Sequence, residues 1–157
     1  MSNGIITYAD SEQYVKQAVL LAITARKNSN LNTSIVVTDD HLTKDFKQYF
    51  DKIYVIEKVD YPERGLLNCL TTSLYDRTLF LYSDTLVLSN ISNVFQLLDY
   101  SDLVLNKDLL DFKGSKITSA FIMYINNKNS MVSINKFYKS IDKCYVDFSN
   151  KFNITHK

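Results

Sequence analysis

Short apolar runs that end in polar residues alternate along this chain with stretches of helical periodicity. The four clearest runs are Gly4–Tyr8, Ser34–Thr38, Lys52–Ile56 and Thr78–Tyr82. Short apolar runs bounded by turn residues are typical of strands that are buried on both faces. Because strands that alternate with helices form parallel pairs, the pattern predicts an α/β fold with a mainly parallel sheet and helices on both faces.

The remaining elements follow from periodicity and capping residues. The first helix is predicted to begin at Asp10 or Ser11 and to continue through Arg26, ahead of a polar turn over Asn28–Asn32. A short second helix is predicted around Leu42, Phe46, Tyr49 and Phe50. Further helices are predicted over Gly65–Ser73, Ile91–Leu98 and Val132–Ile141, and further strands over Leu103–Leu105 and Ile117–Ile125.

Composition excludes several classes of protein. The 157 residues fit a single domain over 1–157, and a formal net charge of +1 gives no basic surface for nucleic acid or anionic membranes. No apolar run approaches the ~20 residues of a membrane span, and no signal peptide is recognised, so a soluble cytoplasmic protein is expected. Cys69 and Cys144 are expected to be reduced thiols. Only 3 glycines are present, which argues against a glycine-rich phosphate loop.

The most informative stretch for function is residues 74–88. An apolar run from Thr78 to Leu81 reaches Ser83 and Asp84, and a second apolar run starts at Leu86. Ligands of open α/β sheets bind beyond the carboxyl ends of the strands. Asp84 is therefore a candidate metal ligand, and the alternative is a turn residue between two strands.

Other candidates also follow strands, and each has a structural alternative. Asp10 either approaches a nucleotide base or caps the first helix, and Tyr14 either stacks on a base or is a half-buried helix aromatic. Tyr8 ends the first strand. Asp39 and Asp40 either join the site or cap a helix.

The basic candidates are fewer. Arg64 either binds phosphate or is a solvated loop charge, and Arg77 is expected to pair with Asp76 or Asp51 rather than with phosphate. His41 and His156 are weaker metal candidates, because one follows two acids in a polar segment and the other lies in the C-terminal tail.

Five segments together resemble the nucleotide-diphospho-sugar glycosyltransferases of the GT-A fold, in the neighbourhood of family 8 and glycogenin. They cover about two-thirds of the chain in the family's order: Gly4–Asp10 with Tyr14 and Ala18, Ile35–Asp40, Phe50–Ile56, Ser73–Val87, and Ile91–Leu98 ahead of Asp102. The resemblance implies a Rossmann-like half that binds a nucleotide sugar, usually with Mn²⁺ or Mg²⁺. It places Tyr8, Ala9, Asp10, Tyr14, Arg64 and Ser83 around the nucleotide and Asp84 on the metal.

The chain departs from the family at its Asp-X-Asp motif, which reads Tyr82-Ser83-Asp84. In the family the first Asp usually helps to hold the ribose or the metal, so one carboxylate remains of two. The family's Lys on the preceding helix has Gly65 and Leu66 at its place, and its Asn-X-Gly segment is replaced by Ser119-Ala120-Phe121. Active members also continue well beyond this length, into a region that binds the acceptor.

Three hypotheses follow from these residues. The chain is a glycosyltransferase that moves a sugar from a nucleotide diphosphate to an unknown acceptor, assisted by a divalent cation. Alternatively, it is a catalytically reduced GT-A module for binding or assembly. In the third, a homodimer supplies the acceptor half from a second copy.

Overall fold

The computed structural model describes residues 1–58, 68–69, 71–105, 109–110, 116–117, 121–125 and four isolated helical positions, 136, 139, 140 and 143. Within this part, six strands form one sheet and two form a small antiparallel pair. The strands are β1 (Asn3–Ala9), β2 (Asn32–Val37), β3 (Ile53–Val55), β4 (Arg77–Leu81), β5 (Leu103–Leu105), β6 (Leu109–Leu110), β7 (Lys116–Ile117) and β8 (Phe121–Ile125). Their order in the main sheet is β3-β2-β1-β4-β8-β5, and β6 pairs with β7.

The predicted mainly parallel sheet is confirmed. β1 pairs in parallel with both β2 and β4, and β2 pairs in parallel with β3. β8 runs antiparallel to β4 and to β5, which it separates. The prediction of one strand over Ile117–Ile125 is wrong, because its two ends belong to different sheets and residues 118–120 lie outside the described part.

The long helix α1 spans Glu12–Ser29, three residues beyond the predicted end at Arg26. Ser11 caps its N-terminus, and its side chain accepts a hydrogen bond from the backbone N–H of Tyr14. The helix stops at Asn30, which adopts the left-handed conformation with φ 53° that Asn tolerates better than most residues. The polar segment from Asn28 was therefore wrongly predicted as a turn at its first two residues, which remain helical.

The other predicted helices are shorter or tighter than expected. The segment after β2 forms two 3₁₀ turns, Asp40–Thr43 and Lys47–Tyr49, in place of the predicted α-helix. The predicted helix over 91–98 is a 3₁₀ helix, Ser92–Asp99, in which Phe95 and Leu98 are buried. Of the predicted helix over 65–73, Asn68, Cys69, Thr71 and Thr72 are described as helical. The prediction over 132–141 lies mostly outside the described residues.

Alternation along the strands divides the core between the two faces of the sheet. Ile5 of β1 packs with Leu21 and Ala25 of α1 on one face. Ile6, the next residue, packs with Cys69 and Phe80 on the other face. Because successive side chains of a strand point to opposite faces, β1 is buried on both, as the unbroken apolar run predicted.

A set of five hydrogen bonds ties the C-terminal half of α1 to the irregular segment that follows β4. They join Asn28 Nδ2 to Val87 O (2.6 Å), Val87 N to Thr24 Oγ1 (3.2 Å), Ser29 Oγ to Ser89 O (3.3 Å), Ile91 N to Ser29 Oγ (3.0 Å) and Ser92 Oγ to Ser29 O (3.2 Å). The side chain of Ser29 takes part in two of them. These bonds satisfy backbone groups that no sheet pairs, since the segment is not a strand.

We expect Ser29→Ala to lower the free energy of unfolding by about 1–3 kcal/mol, because it leaves the Ile91 N–H and the Ser89 carbonyl without this partner. Urea unfolding followed by circular dichroism measures the change. Lys27→Ala, an exposed change on the same turn, serves as the control and should cost much less. Equal midpoints for the two variants would contradict the role of Ser29.

The ring of Tyr75 lies at the end of the sheet where β1 and β2 begin. Its hydroxyl lies 2.9 Å from Ser34 Oγ and donates to Asp51 Oδ2 at 3.2 Å. Burial is the largest cause that raises the pKa of this phenol, so it stays protonated and can serve as the donor. The ring also lies against the backbone of Gly4, where an added Cβ would overlap its atoms.

Candidate functional site

The chain reverses its path through the sheet between β1 and β4. From β1 it moves outward through β2 to β3, and it then returns to place β4 on the other side of β1. Such a reversal opens a crevice beyond the carboxyl ends of the two central strands, where open α/β sheets bind their ligands. The residues that follow β1 and β4 therefore line the candidate site.

The first wall of the crevice comes from the end of β1. Tyr8 is 7% exposed and Ala9 is 1% exposed, while Asp10 is half-buried just beyond the strand. Burial, followed by the nearby charge of Asp10, raises the pKa of Tyr8 to about 12. The phenol is therefore neutral at physiological pH. The alternative role of Asp10 as helix cap is wrong, because Ser11 caps α1, and the Asp10 carboxylate is left at the crevice.

Tyr14 lies in the first turn of α1, at the same edge of the sheet as Asp10. The residue is 47% exposed, which agrees with the half-buried helix aromatic of the alternative. A large aromatic ring at the surface offers a flat apolar face. The stacking role stays a prediction.

The second wall comes from the end of β4. Ser83 and Asp84 form a turn in which the backbone N–H of Thr85 donates to Tyr82 O at 3.1 Å. Ser83 is buried, at 7% exposure, whereas Asp84 is exposed. The turn alternative for Asp84 is thus correct as to conformation, although the segment after it is not a strand. The Asp84 carboxylate is therefore accessible to solvent.

Tyr82 occupies the place of the motif's first Asp. Its ring packs edge-on against Phe80, with ring centroids 5.3 Å apart and an interplanar angle of 77°. It belongs to the cluster of Ile6, Tyr8 and Cys69 on the face of the sheet away from α1. From the sequence, Tyr82 was interpreted only as the loss of the first carboxylate of the Asp-X-Asp motif. Tyr82 follows directly after β4, two residues beyond Phe80, and this spacing was the signal that both rings share a face.

Among the described residues, no group of three or more His, Cys, Asp or Glu side chains is placed to hold a metal ion. Asp84 would be one protein ligand. Mg²⁺ commonly binds through one or two carboxylates and completes its shell with substrate phosphates and water. The exposed carboxylate of Asp84 therefore fits a cation that is shared with a diphosphate.

The acidic residues after β2 have mainly structural contacts. Asp39 caps the first 3₁₀ turn, and its Oδ1 accepts from the backbone N–H of His41 at 2.9 Å. Asp40 pairs with Lys47 at 3.1 Å on the surface. The capping alternative is thus confirmed for Asp39, and His41 is exposed in the same turn.

Arg77 pairs with a carboxylate of the protein, as predicted, but the partner was predicted wrongly. It pairs with Asp99 and donates to Phe95 O at 3.0 Å, so it anchors the 3₁₀ helix to the start of β4. Asp76 instead accepts from the backbone N–H of Ser2 at 2.6 Å. Asp99 and Phe95 lie 22 and 18 residues from Arg77 in the sequence, so the pairing of Arg77 depended on the fold.

Several predicted site residues lie outside the described part of the chain. They are Arg64, Gly65, Leu66, Ser119, Ala120 and His156. Of the two cysteines, Cys69 is fully buried, and burial raises the pKa of its thiol. Cys144 is also outside the described residues.

A separate apolar cavity of about 320 Å³ lies beside β4 on the face that α1 covers. Its lining includes Leu79, Leu81, Thr85 and Val94. Leu81 and Tyr82 are successive residues and point to opposite faces. The cavity therefore lies on the opposite face of the sheet from the cluster that contains Tyr82.

No helix in the described part of the chain is long and apolar enough to cross a membrane.

Comparison with known proteins places this geometry in context. No family model matches the chain. Glycogenin-1 of Mus musculus is 26% identical in an alignment 112 residues long, and the match covers 59% of this chain and 34% of glycogenin-1. The chain thus spans about a third of the length of this relative.

Solved structures match over nearly the whole chain. Two crystal structures of the glycosyltransferase GlyE from Streptococcus pneumoniae TIGR4 superpose with TM-scores of 0.64 and 0.58, at 15% and 18% identity. Each match covers 96% of this chain and 39% of GlyE. Residues 1–349 of S. aureus TarS superpose with a TM-score of 0.52 at 14% identity, over 80% of this chain and 47% of that one.

These matches confirm the resemblance read from the five sequence segments. The alternation of strands and helices, the crossover at β1 and β4, and the similarity to GlyE all point to one architecture. The chain therefore has the GT-A-type fold of nucleotide-diphospho-sugar glycosyltransferases and is similar in sequence to part of glycogenin-1.

Proposed function

We propose that this chain binds a nucleotide-diphosphate sugar in the crevice between β1 and β4 and takes part in transfer of the sugar to an acceptor. The observation that carries the proposal is the position of Asp10 just beyond β1 and of Asp84 just beyond β4, the two parallel neighbours at the switch point of a GT-A-type sheet. The homology to glycogenin-1 and the structural similarity to the glycosyltransferase GlyE support it.

The residues around the crevice have complementary roles in this proposal. The half-buried carboxylate of Asp10 accepts hydrogen bonds from the nucleoside, and the exposed ring of Tyr14 covers the base. The turn at Ser83 presents the Asp84 carboxylate toward the diphosphate. Arg64 remains a proposed phosphate contact from the sequence.

Asp84 would hold a divalent cation, Mn²⁺ or Mg²⁺, together with oxygens of the diphosphate. Bound there, the cation supplies Lewis-acid stabilisation of the negative charge on the leaving nucleotide diphosphate. The protein contributes the position of the carboxylate, because the turn bond between Thr85 N and Tyr82 O fixes the backbone on both sides of Asp84. Asp84 lies just beyond the carboxyl end of β4, so the diphosphate would bind at the rim of the crevice.

A thermal-shift titration with UDP, GDP and CDP, each with Mn²⁺ and with EDTA, tests this proposal. At ~100 times its dissociation constant a nucleotide adds about 2.7 kcal/mol of stability, a shift of several degrees. We expect one nucleotide to raise the Tm, and the rise to be larger with Mn²⁺ than with EDTA. A chain that none of the three nucleotides stabilises would instead be a GT-A fold that is used for binding or assembly.

A further inference from the structure

The segment 85–89 bonds to α1 along one side and is open along the other. The N–H and C=O groups of Val87 and the carbonyl of Ser89 bond to side chains of α1. The main chain before Ser89 is neither turned nor bent, and in an extended chain the groups of alternate residues point to opposite sides. The main-chain groups of Leu86 and Leu88 therefore point away from α1, where no residue in the described part of the chain bonds to them.

The apolar cavity of about 320 Å³ lies along the open side of this segment. The described residues that line it come from the segment itself, from β4 and from Ile91 and Val94, and none of them belongs to α1. Leu79 and Leu81 of β4 point to this face of the sheet, so they form the floor of the cavity. An open main-chain edge and an apolar space thus lie side by side.

The side chains around the open edge are mainly apolar. Leu86 is 52% exposed and Leu88 is 81% exposed, whereas Val87 between them is buried. The described lining of the cavity consists of leucine, valine, isoleucine, serine and threonine, without a charged residue. Exposed apolar residues beside an unpaired main-chain edge are typical of a surface that another chain covers.

These two features together select a polypeptide as the occupant. A polypeptide in an extended conformation supplies N–H and C=O groups to an open edge and places every second side chain in an adjoining pocket. An acyl chain fills the apolar space but provides no partner for the main-chain groups of Leu86 and Leu88. Because the described lining carries no charge, the part of the peptide that enters the cavity is uncharged.

We propose that the segment 85–89 is a docking site for an extended, uncharged segment of another polypeptide. The peptide pairs with Leu86 and Leu88 as an added strand and places an apolar side chain over Leu79 and Leu81. This docking uses neither a nucleotide nor a cation, so it does not depend on the proposed function.

Hydrogen exchange of the ¹⁵N-labelled chain, followed by NMR without nucleotide or metal, tests the proposal. The probes are blocked peptides that alternate serine with leucine, valine or phenylalanine. We expect at least one peptide to slow the exchange of the Leu86 and Leu88 amides. The Val87 amide, which is already bonded to Thr24, should change little.

N-methylation of the peptide separates main-chain pairing from apolar contact. One form is methylated at every apolar residue and the other at every serine, so each form loses the N–H donors of one side. The form that loses its edge-facing donors should bind about tenfold more weakly than the parent peptide.

Leu86→Asp and Leu97→Asp are a matched pair of variants, because both leucines are 52% exposed but Leu86 lines the cavity and Leu97 does not. Circular dichroism establishes that both are folded. Leu86→Asp should weaken peptide binding about tenfold, because it places a charge beside the apolar space. Leu97→Asp should bind the peptide as the unchanged protein does.

Three results would overturn the proposal: no peptide slows the exchange of Leu86 and Leu88, both N-methylated forms bind as well as the parent, or decanoate binds in preference to every peptide. Self-association of the chain that Leu86→Asp abolishes, seen without any binding of peptide, would also overturn it and would assign the open edge to a second copy.

Discussion

Asp84→Asn is expected to abolish the Mn²⁺-dependent part of nucleotide binding while the fold is retained. Asp84 is an exposed carboxylate in the turn after β4, and the structure gives it no core contact to lose. An amide is a neutral and weaker ligand for a hard cation, so the diphosphate loses the charge compensation that the cation provides. Calorimetric titration of the preferred nucleoside diphosphate, with Mn²⁺ and with EDTA, measures the effect.

The control for this variant is Asp76→Asn, which changes a carboxylate at the other end of the same strand. Asp76 bonds to Ser2 at the edge of the sheet away from the crevice. The Asp76→Asn variant should bind the nucleotide more tightly with Mn²⁺ than with EDTA, as the unchanged protein does. An Asp84→Asn protein that still binds more tightly with Mn²⁺ than with EDTA would eliminate Asp84 as the metal ligand.

Tyr82→Asp is the complementary change, because it restores the second carboxylate of the motif. We expect stronger Mn²⁺ binding, together with some loss of stability from the broken contact between Tyr82 and Phe80. Circular dichroism would establish that the variant is folded before titration. Mn²⁺ affinity that stays at the level of the unchanged protein would mean that residue 82 does not face the cation.

Gly4→Ala is expected to destabilise the fold strongly, because the position has no room for a methyl group. The added Cβ would overlap ring atoms Cδ2, Cε2 and Cζ of Tyr75. The ring cannot move freely, because its hydroxyl is bound to Ser34 and Asp51. Overpacking of this kind costs about 3 kcal/mol, or a fall of roughly 10 °C in Tm. Thermal unfolding followed by circular dichroism measures it.

A double-mutant cycle identifies the source of that cost. In a Tyr75→Leu background the ring atoms are absent, so the further change Gly4→Ala should cost little. Asn3→Ala, at the exposed neighbouring position on β1, controls for the effect of alanine on this strand. A cost of Gly4→Ala that is the same in both backgrounds would show that the ring is not the obstacle.

Hydrophobic periodicity and capping residues were sufficient to predict the first four strands and the start of the long helix. The apolar runs predicted β1 to β4 within one or two residues, and the capping residues predicted the start of α1. Prediction was poorer where two local structures have similar energies. The segment after β2 has helical spacing, but it forms two 3₁₀ turns separated by residues 44–46.

Candidate site residues were predictable from their position at strand ends, but their partners were not. Ser11 rather than Asp10 caps α1, which decides that the Asp10 carboxylate is available at the crevice. Arg77 binds Asp99 rather than its sequence neighbour Asp76. Such choices depend on side chains that are brought together from distant parts of the chain, and hydrophobic periodicity carries no information about them.

The sequence alone determined the order of strands and helices, the buried character of the central strands and the position of Asp84 after β4, because these depend on local periodicity and turn chemistry. Tertiary structure decided the rest. Only parallel pairing of β1 with β4 brings Tyr8 and Tyr82 to the same face. The relative placement of two strands separated by some seventy residues is set by long-range packing, since no local interaction connects them.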